Sequence, residues 1–183
     1  MLIVGITGMP GAGKSTVAKA LEAKGYRKVV MGDVIREETR RRGLEPDAKN
    51  TAKVMLELRE KHGPGAVAEA CLKSLEGVKD KVVVVDGVRS YAEVQAFARA
   101  GEVKLLAVHA SRARRFKMLT QRGRADAPLS KASFDERDRR ELSVGVGDAV
   151  ALADACLSNE EGTKEELGRA ATSLVESWVG ATG

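Results

Sequence analysis

Short apolar runs alternate along this chain with longer stretches of helical spacing. Five such runs lie at 2–7, 27–31, 81–87, 103–110 and 155–158. The third run holds four successive valines, which predicts a strand buried on both faces, as at the centre of a parallel sheet. The segments of helical spacing cover 14–24, 33–42, 48–61, 66–75, 91–100, 112–121, 134–142, 149–153 and 163–179. Their order predicts a three-layer α/β fold, with a five-stranded, mostly parallel sheet and helices on both faces.

The length and charge of the chain limit its functional class. Its 183 residues fit a single domain, and we expect a cytoplasmic protein because no run approaches a membrane span and no signal-peptide pattern opens the chain. The net charge of +5 suits polyanionic ligands, whereas 3% aromatic residues argue against base stacking on a nucleic acid. We therefore expect a small-molecule partner, no nucleic acid, no membrane, and a monomer or small homo-oligomer. Cys71 and Cys156 lack CxxC spacing and are predicted to be buried free thiols.

The segment after the first apolar run carries the strongest chemical signal. Residues 8–15 read GMPGAGKS and satisfy G-x-x-x-x-G-K-[ST], the P-loop pattern, between a predicted strand and a predicted helix. Small residues let backbone N–H groups converge on phosphate oxygens, and the helix adds the positive end of its dipole. Lys14 is predicted to reach the β- and γ-phosphates of ATP, and the Ser15 hydroxyl to bind Mg²⁺. The predicted nucleotide-binding residues are Gly8, Met9, Pro10, Gly11, Ala12, Gly13, Lys14, Ser15 and Thr16.

Charged residues follow two other predicted strands, at the sheet edge where open α/β sheets bind ligands. Asp86 ends the valine-rich strand and is predicted to help hold Mg²⁺; the alternative is a helix cap, for which Ser90 is better placed. Arg89 follows closely, as a ligand of the acceptor or as a solvated arginine. Asp33 and Arg36 share a helical face and could meet an acceptor's hydroxyl and phosphate. The alternative for this pair is an N-cap Asp33 with a surface Arg36.

A basic segment occupies the third quarter of the chain. Six cations lie between Arg112 and Arg124, and three more follow between Arg137 and Arg140. A loop flanked by arginines suits a lid that closes over a triphosphate, which makes Arg122 and Arg124 candidate catalytic residues. Two alternatives are a solvated helix surface and a nucleic-acid patch. Interleaved acidic residues weaken the second, because they would repel a phosphate backbone.

Five segments, in order, carry a resemblance to a known family: GMPGAGKST, MGDVIREE, VVDGVRS, HASRARRFKMLTQRGRAD and ALADACLSNEEGT. Together they resemble archaeal P-loop ATPases described as dephospho-coenzyme A kinase-related or adenylate kinase-related. The resemblance covers nearly the whole chain. It implies the nucleoside monophosphate kinase fold, with a helical substrate-binding insert at about 32–76 and a small lid at about 122–132 of one P-loop kinase domain, 1–183.

The resemblance also implies roles for individual residues. Residues 31–36 resemble the S-T-G-D-x-L-R segment of adenylate kinases, and 86–89 resemble their D-G-F-P-R, although this chain is one residue shorter before the arginine. Arg36 and Arg89 would then bind the acceptor phosphate. In dephospho-coenzyme A kinases a D-A-D pair occupies the first of these segments; Asp33 resembles the second carboxylate, and Met31 replaces the first. Asn159 resembles a residue beside the donor adenine, and the alternative is an ordinary turn residue.

These residues predict a Mg²⁺·ATP-dependent kinase that transfers the γ-phosphoryl group to a small nucleotide or nucleotide-like metabolite. A phosphate acceptor needs positioning more than a base, whereas a hydroxyl acceptor benefits from a carboxylate within reach. Asp33 fits both cases, so a dephospho-coenzyme A kinase with Asp33 as base is one alternative. The other is a regulatory P-loop ATPase that acts on a protein partner and leaves Asp33 and Arg36 idle.

Overall fold

A five-stranded parallel sheet forms the centre of the computed structural model, which describes residues 1–121 and 130–181. The strands are β1 Leu2–Thr7, β2 Arg27–Val30, β3 Val82–Val88, β4 Glu102–His109 and β5 Ala155–Ser158. Their order across the sheet is β2-β3-β1-β4-β5, and every neighbouring pair is parallel. The predicted sheet is therefore confirmed, and its centre is β1 between β3 and β4.

Helices connect the strands and cover both faces of the sheet. They are α1 Lys14–Ala23, α2 Met31–Arg41, α3 Ala48–His62, α4 Ala66–Ser74, α5 Tyr91–Phe97, α6 Arg112–Gln121, α7 Lys131–Val144, α8 Val146–Ala151 and α9 Lys164–Ala181. The predicted bounds of α7 were too short at the N-terminus, because Ser130 and Ser133 form a capping box that starts the helix at Lys131. The N-cap interpretation of Asp33 was wrong, since α2 begins two residues earlier.

The alternation of side chains along the strands divides the core into two layers. Ile3 joins the layer beneath α2, α3, α4, α5 and α8, whereas Val4 joins the layer beneath α1 and α9. Val83, Val84 and Val85 contribute to both layers and are fully buried. The run of valines therefore buries side chains on both faces of the sheet, as an interior parallel strand requires.

Two helices begin at a side-chain cap, and one of the caps, Ser90, is the one expected from the sequence. The Ser90 side chain accepts a hydrogen bond from the backbone N–H of Glu93 at the start of α5, and Asp47 caps α3 in the same way. Ser90, and not Asp86, thus caps α5. Of the two cysteines, Cys71 is buried as predicted, but Cys156 is exposed because it lies on the edge strand β5.

Helices α2, α3 and α4 occupy the position of the predicted insert, between β2 and β3. Their action as a substrate-binding unit stays a prediction. Most of the predicted lid at 122–132, with Arg122 and Arg124, lies outside the described residues. Within residues 1–121 and 130–181, no helix is both long enough and apolar enough to cross a membrane.

Candidate active site

The P-loop joins the end of β1 to the start of α1 and passes very close to β4. A Cβ atom on Gly8 would lie 2.2 Å from the backbone oxygen of Val108, and the φ angle of Gly8 is +139°. Only glycine fits at this position. The motif's first glycine thus lets the loop turn at the carboxyl edge of the sheet, directly over the central strands.

Several backbone N–H groups of the loop are available to a ligand. Within the part of the chain that the structure describes, no hydrogen bond engages the N–H groups of Gly11, Gly13, Lys14 or Ser15. These groups lie at the N-terminus of α1, where the helix dipole favours negative charge. Unpaired donors at a helix N-terminus are what a phosphate group needs, so the loop has the donor set expected of a P-loop.

Lys14 lies across the loop. Its Nζ donates hydrogen bonds to the backbone oxygens of Gly8, at 2.6 Å, and Met9, at 3.2 Å. Burial lowers the pKa of Lys14 to about 8, against the opposing charges of Glu141 and Asp86. Lys14 therefore stays mostly protonated at neutral pH and loses its proton as the pH rises through about 8, unless an anion binds beside it.

This position of Lys14 predicts a pH dependence of phosphate binding. An anion raises the pKa of a bound lysine, so affinity is highest below the free-state pKa of about 8 and falls as pH rises above it. The fall can approach about tenfold per pH unit. Because the Glu141 carboxylate raises the pKa of Lys14, Glu141→Gln should move the decline to lower pH. Calorimetric titration with tripolyphosphate between about pH 7.5 and 9.5 measures this, and comparison of the two proteins at each pH cancels the titration of the ligand itself.

Glu136→Gln is the matched control for that experiment, since Glu136 is an exposed residue on the same helix. It should leave the pH profile where it is in the unmodified protein. A pH profile that Glu141→Gln leaves unchanged would contradict the assignment of Lys14 to the phosphate site.

Asp86 lies at the carboxyl end of β3, in register with Ile6 of β1 just before the P-loop. Burial raises the pKa of the Asp86 carboxyl, while the charges of Lys14, Lys28 and Arg89 lower it. Among the described residues, no hydrogen bond or ion pair engages its side chain. An unpaired carboxylate beside the Ser15 end of α1 is an oxygen donor set that suits Mg²⁺, which usually takes only one or two carboxylates and completes its shell with phosphates and waters.

The described side chains give no reason to expect a metal site built from protein ligands alone. Among the residues that the structure describes, no group of three or more His, Cys, Asp or Glu side chains could hold a metal ion. Ser15 and Asp86 thus fit a Mg²⁺ ion that arrives with a nucleotide, and not a resident all-protein site.

Arg89 is held by contacts from three elements. Its backbone N–H donates to Glu93 Oε2 at 2.7 Å, its NH1 lies 3.3 Å from the Met55 sulfur, and its Nε lies 3.5 Å from Glu141 Oε2. Glu93 is fully buried and also accepts a 2.6 Å hydrogen bond from Arg59 NH2. The loop that carries Arg89 is therefore anchored to both α3 and α5. These contacts argue against the interpretation of Arg89 as a freely solvated arginine.

Asp33 and Arg36 share one face of α2, as predicted. Arg36 donates to Asp33 Oδ1 through both Nε and NH2, with the Nε distance at 3.1 Å. The two side chains are 65% and 43% exposed for Asp33 and Arg36 respectively, so a ligand can reach both. The negative charge of Asp33 also acts on Asp86, which places the start of α2 beside the predicted metal site.

Asn159 contacts the P-loop. Its backbone N–H donates to the His109 oxygen at 2.7 Å, and its side-chain Nδ2 donates to the Ala12 oxygen at 2.8 Å. The side chain is buried. The observed position is thus behind the phosphate loop, and contact with an adenine ring stays a prediction.

Three charged residues near the site were not identified as its members from the sequence. On α7, Arg137 and Glu141 are close enough for their charges to change the pKa of Lys14. On α6, Arg115 is buried and pairs with Asp138 of α7. The interpretation of Arg115 as part of a solvated or lid-forming basic surface was therefore wrong. The available signal was the helical spacing that places Arg115 on the same face as Leu119, and Asp138 on the same face as Phe134.

Comparison with known proteins agrees with this arrangement. A model described as an AAA domain matches residues 7–132. A UPF0200 protein of Thermococcus onnurineus is 45% identical over 180 residues, covering 96% of this chain and 97% of the relative. A UPF0200 protein of Thermococcus gammatolerans is 42% identical over 183 residues, covering 97% of this chain and 96% of the relative.

Two solved structures are similar in fold. TT1252 from Thermus thermophilus has a TM-score of 0.69 at 22% identity and covers 96% of this chain and 97% of its own. A shikimate kinase from Bacteroides thetaiotaomicron has a TM-score of 0.66 at 17% identity and covers 96% and 98%. These structures confirm the P-loop kinase-like fold. With the domain match and the two relatives, the chain belongs both to the AAA domain family and to the UPF0200 family.

Proposed function

We propose that this protein is a Mg²⁺·ATP-dependent kinase that transfers the γ-phosphoryl group to a small phosphorylated acceptor, a nucleotide or nucleotide-like metabolite. One observation carries the proposal: Arg89 contacts Met55 of α3, and it is close enough to Lys14 and Asp86 for its charge to act on both. Burial is the main influence on the pKa of Lys14 and of Asp86, and the charge of Arg89 lowers both. Arg89 is thus a cation close to both Lys14 and Asp86 that is not part of the P-loop pattern. Such a cation is what a kinase needs to bind a second anionic substrate.

Each group would have a defined task in the transfer. Lys14 and the free N–H groups of the loop would hold the β- and γ-phosphates, and Arg89 would orient the acceptor phosphate toward them. Bound Mg²⁺ would neutralise charge on the transferred group. Phosphoryl transfer requires positioning and charge stabilisation more than covalent catalysis. These residues would therefore supply the types of group that the reaction requires. Lid arginines Arg122 and Arg124 would add charge stabilisation.

The alternative of a dephospho-coenzyme A kinase gives Asp33 the role of base. The carboxylate of Asp33 is 65% exposed and paired with Arg36. A carboxylate in this state can orient a hydroxyl group but lacks the apolar surroundings that tune a strong catalytic base. The geometry therefore favours a positioning role for Asp33, with phosphate as the nucleophile.

A panel of acceptors with Mg²⁺·ATP tests the proposal directly. Nucleoside monophosphates, dephospho-coenzyme A and shikimate cover phosphate and hydroxyl acceptors, the last because one similar structure is a shikimate kinase. We expect ADP formation that depends on one acceptor, with the phosphorylated product identified by phosphorus NMR. ATP hydrolysis at a useful rate with no acceptor phosphorylated would contradict the proposal and favour a regulatory ATPase.

The proposal also includes the protein's surroundings. We propose that it works in the cytoplasm on a small molecule, without nucleic acid or membrane, as a monomer or small homo-oligomer. Its two free thiols suit a reducing compartment. Oligonucleotide binding that is tight at low salt and lost at moderate salt would revive the nucleic-acid alternative.

A double substitution separates the kinase from the regulatory ATPase. Asp33→Asn with Arg36→Ala removes both charges from the exposed face of α2 and should raise the acceptor KM by about tenfold or more, because charge-assisted hydrogen bonds are worth about 1.5–3 kcal/mol. ATP hydrolysis without acceptor should change little. Steady-state kinetics with the identified acceptor measure both quantities.

The chain offers a matched control on the same helix. Glu37 and Arg40 form a second pair with the same spacing, in which Arg40 NH1 lies 3.0 Å from Glu37 Oε2. Glu37→Gln with Arg40→Ala should leave the acceptor KM unchanged. If the Asp33 and Arg36 variant behaves like this control, these two residues do not bind an acceptor.

A further inference from the structure

The carbonyl groups of the P-loop are held by side chains, some of them from outside the motif. Lys14 holds the oxygens of Gly8 and Met9. The Pro10 oxygen accepts a 3.1 Å hydrogen bond from Arg115 NH1, and the Ala12 oxygen accepts one from Asn159. Two of the carbonyl groups therefore depend on residues that the P-loop pattern does not include.

Holding a carbonyl also sets the direction of the next N–H group. In a planar trans peptide the C=O and the following N–H point to opposite sides. With the Pro10 oxygen held by Arg115, the N–H of Gly11 points away from α6. With the Ala12 oxygen held by Asn159, the N–H of Gly13 points away from the Asn159 side-chain amide. These are two of the N–H groups that no hydrogen bond engages among the described residues.

Arg115 can hold its carbonyl firmly because its own position is fixed. Its NH1 and NH2 form a bidentate pair with the two carboxylate oxygens of Asp138, at 2.8 and 2.6 Å. The side chains are only 7% and 11% exposed, and the guanidinium carbon lies 5.0 Å from the centre of the Phe134 ring. A bidentate pair that is buried and stacked on an aromatic ring leaves the guanidinium little freedom.

The backbone of α6 also lies directly against the loop. A Cβ atom on Gly11, whose φ is +83°, would lie 2.9 Å from the Arg115 oxygen. The helix that supplies the guanidinium is thus in direct contact with the peptide that the guanidinium orients. Both contacts restrict the peptide between Pro10 and Gly11.

We propose that Arg115, Asp138 and Asn159 form a P-loop brace, a set of positioning residues that orient the N–H groups of Gly11 and Gly13 toward the phosphates of the nucleotide. The brace rests on the proposed function only in requiring that the loop binds phosphate. Preorganised donors need no reorientation when the ligand arrives, so loss of the brace weakens binding. Because Asn159 acts on the loop, its effect does not require an adenine ring.

Tripolyphosphate is the probe that tests the brace, because it carries neither adenine nor acceptor groups. In calorimetric titrations of the full chain, Asp138→Asn should weaken tripolyphosphate binding by about tenfold or more. Asp135→Asn is the matched control: Asp135 lies one turn earlier on α7 and pairs with Arg112 of α6, but among the residues that the structure describes no hydrogen bond links that pair to the loop. Equal affinities for the two variants would overturn the brace.

A charge swap separates positioning from simple docking of α6 on α7. Arg115→Asp with Asp138→Arg keeps an ion pair between the helices but removes the donor to the Pro10 oxygen. The swap should regain thermal stability relative to Asp138→Asn without regaining tripolyphosphate affinity. Recovery of both would show that the pair acts only by joining the helices. If the swap does not fold, the comparison of Asp138→Asn with Asp135→Asn decides alone.

Asn159→Leu tests the second arm, since it is similar in size and uncharged but cannot donate to the Ala12 oxygen. It should weaken tripolyphosphate and ATP by similar factors, of about tenfold. Loss of ATP affinity with unchanged tripolyphosphate affinity would indicate that Asn159 contacts the adenine and is not part of the brace. If the unmodified protein binds neither tripolyphosphate nor Mg²⁺·ATP, the proposed function fails and the brace with it; normal binding that the variants do not alter refutes the brace alone.

Discussion

Alanine in place of Lys14 should lower the rate of phosphoryl transfer by about a thousandfold or more, because a preorganised cation on the transferred group is worth that much in comparable sites. The fold should survive. Burial already disfavours the charged lysine, as its pKa of about 8 shows, so removing it also removes a desolvated charge. That gain offsets the loss of two hydrogen bonds to Gly8 and Met9.

The measurement is ADP formation in the presence of the identified acceptor, with a thermal melt of each protein. Lys19→Ala is the control, because Lys19 is an exposed lysine on the same helix and should behave like the unmodified protein. Turnover that persists in Lys14→Ala would show that the loop is not the catalytic phosphate site.

Local patterns predicted most of the fold and the donor half of the site. The sheet depends on apolar runs whose burial is determined by a few neighbouring residues, and the run at Val83–Val85 was enough to mark a central strand. The P-loop is also local, since eight consecutive residues that directly follow a strand specify the turn and the helix N-terminus. The pair on α2 follows from the geometry of one helical turn.

Contacts between distant parts of the chain were not predictable in this way. Arg115 and Asp138 are 23 residues apart, and the helical spacing that aligns Arg115 with Leu119 also aligns Arg112 with it, although Arg112 is 53% exposed. Which arginine is buried depends on the carboxylate opposite and on the carbonyl that the loop presents, and both are fixed only by the tertiary structure. Charge density along the segment therefore predicted a basic surface where the structure has a buried pair.

The same reason explains Glu141. From the sequence it is one of several acidic residues in a charged helix, interpreted only as an obstacle to nucleic-acid binding. In the structure it is 16% exposed and lies between Arg89, 3.5 Å away, and Lys14. A carboxylate between two cations that are proposed to bind phosphates balances their charge while the site is empty. An incoming phosphate would compete with it for both cations.

Alanine in place of Arg89 should lower kcat/KM for the acceptor by about a hundredfold or more, and ATP affinity by less than about tenfold. The acceptor phosphate would lose a guanidinium that can bind it through two parallel hydrogen bonds. The fold should be retained, because the bond that anchors this loop comes from the backbone N–H of Arg89 to Glu93 and does not depend on the side chain. Initial rates at varied acceptor and ATP concentrations separate the two effects.

Two further variants test whether a loss of kcat/KM in Arg89→Ala is specific to Arg89 and whether it depends on the guanidinium group. Arg99→Ala removes an arginine from the same β3–β4 connection. Arg99 is 72% exposed, and its loss should have no effect. Arg89→Lys keeps the charge but not the fork, so it should recover only part of the activity if the acceptor group is a phosphate bound through two hydrogen bonds. Full recovery with lysine would indicate that Arg89 supplies charge alone. Equal losses for the acceptor and for ATP would instead place Arg89 on the donor phosphates, and the acceptor would then have to be bound by Arg36 and Asp33 on α2.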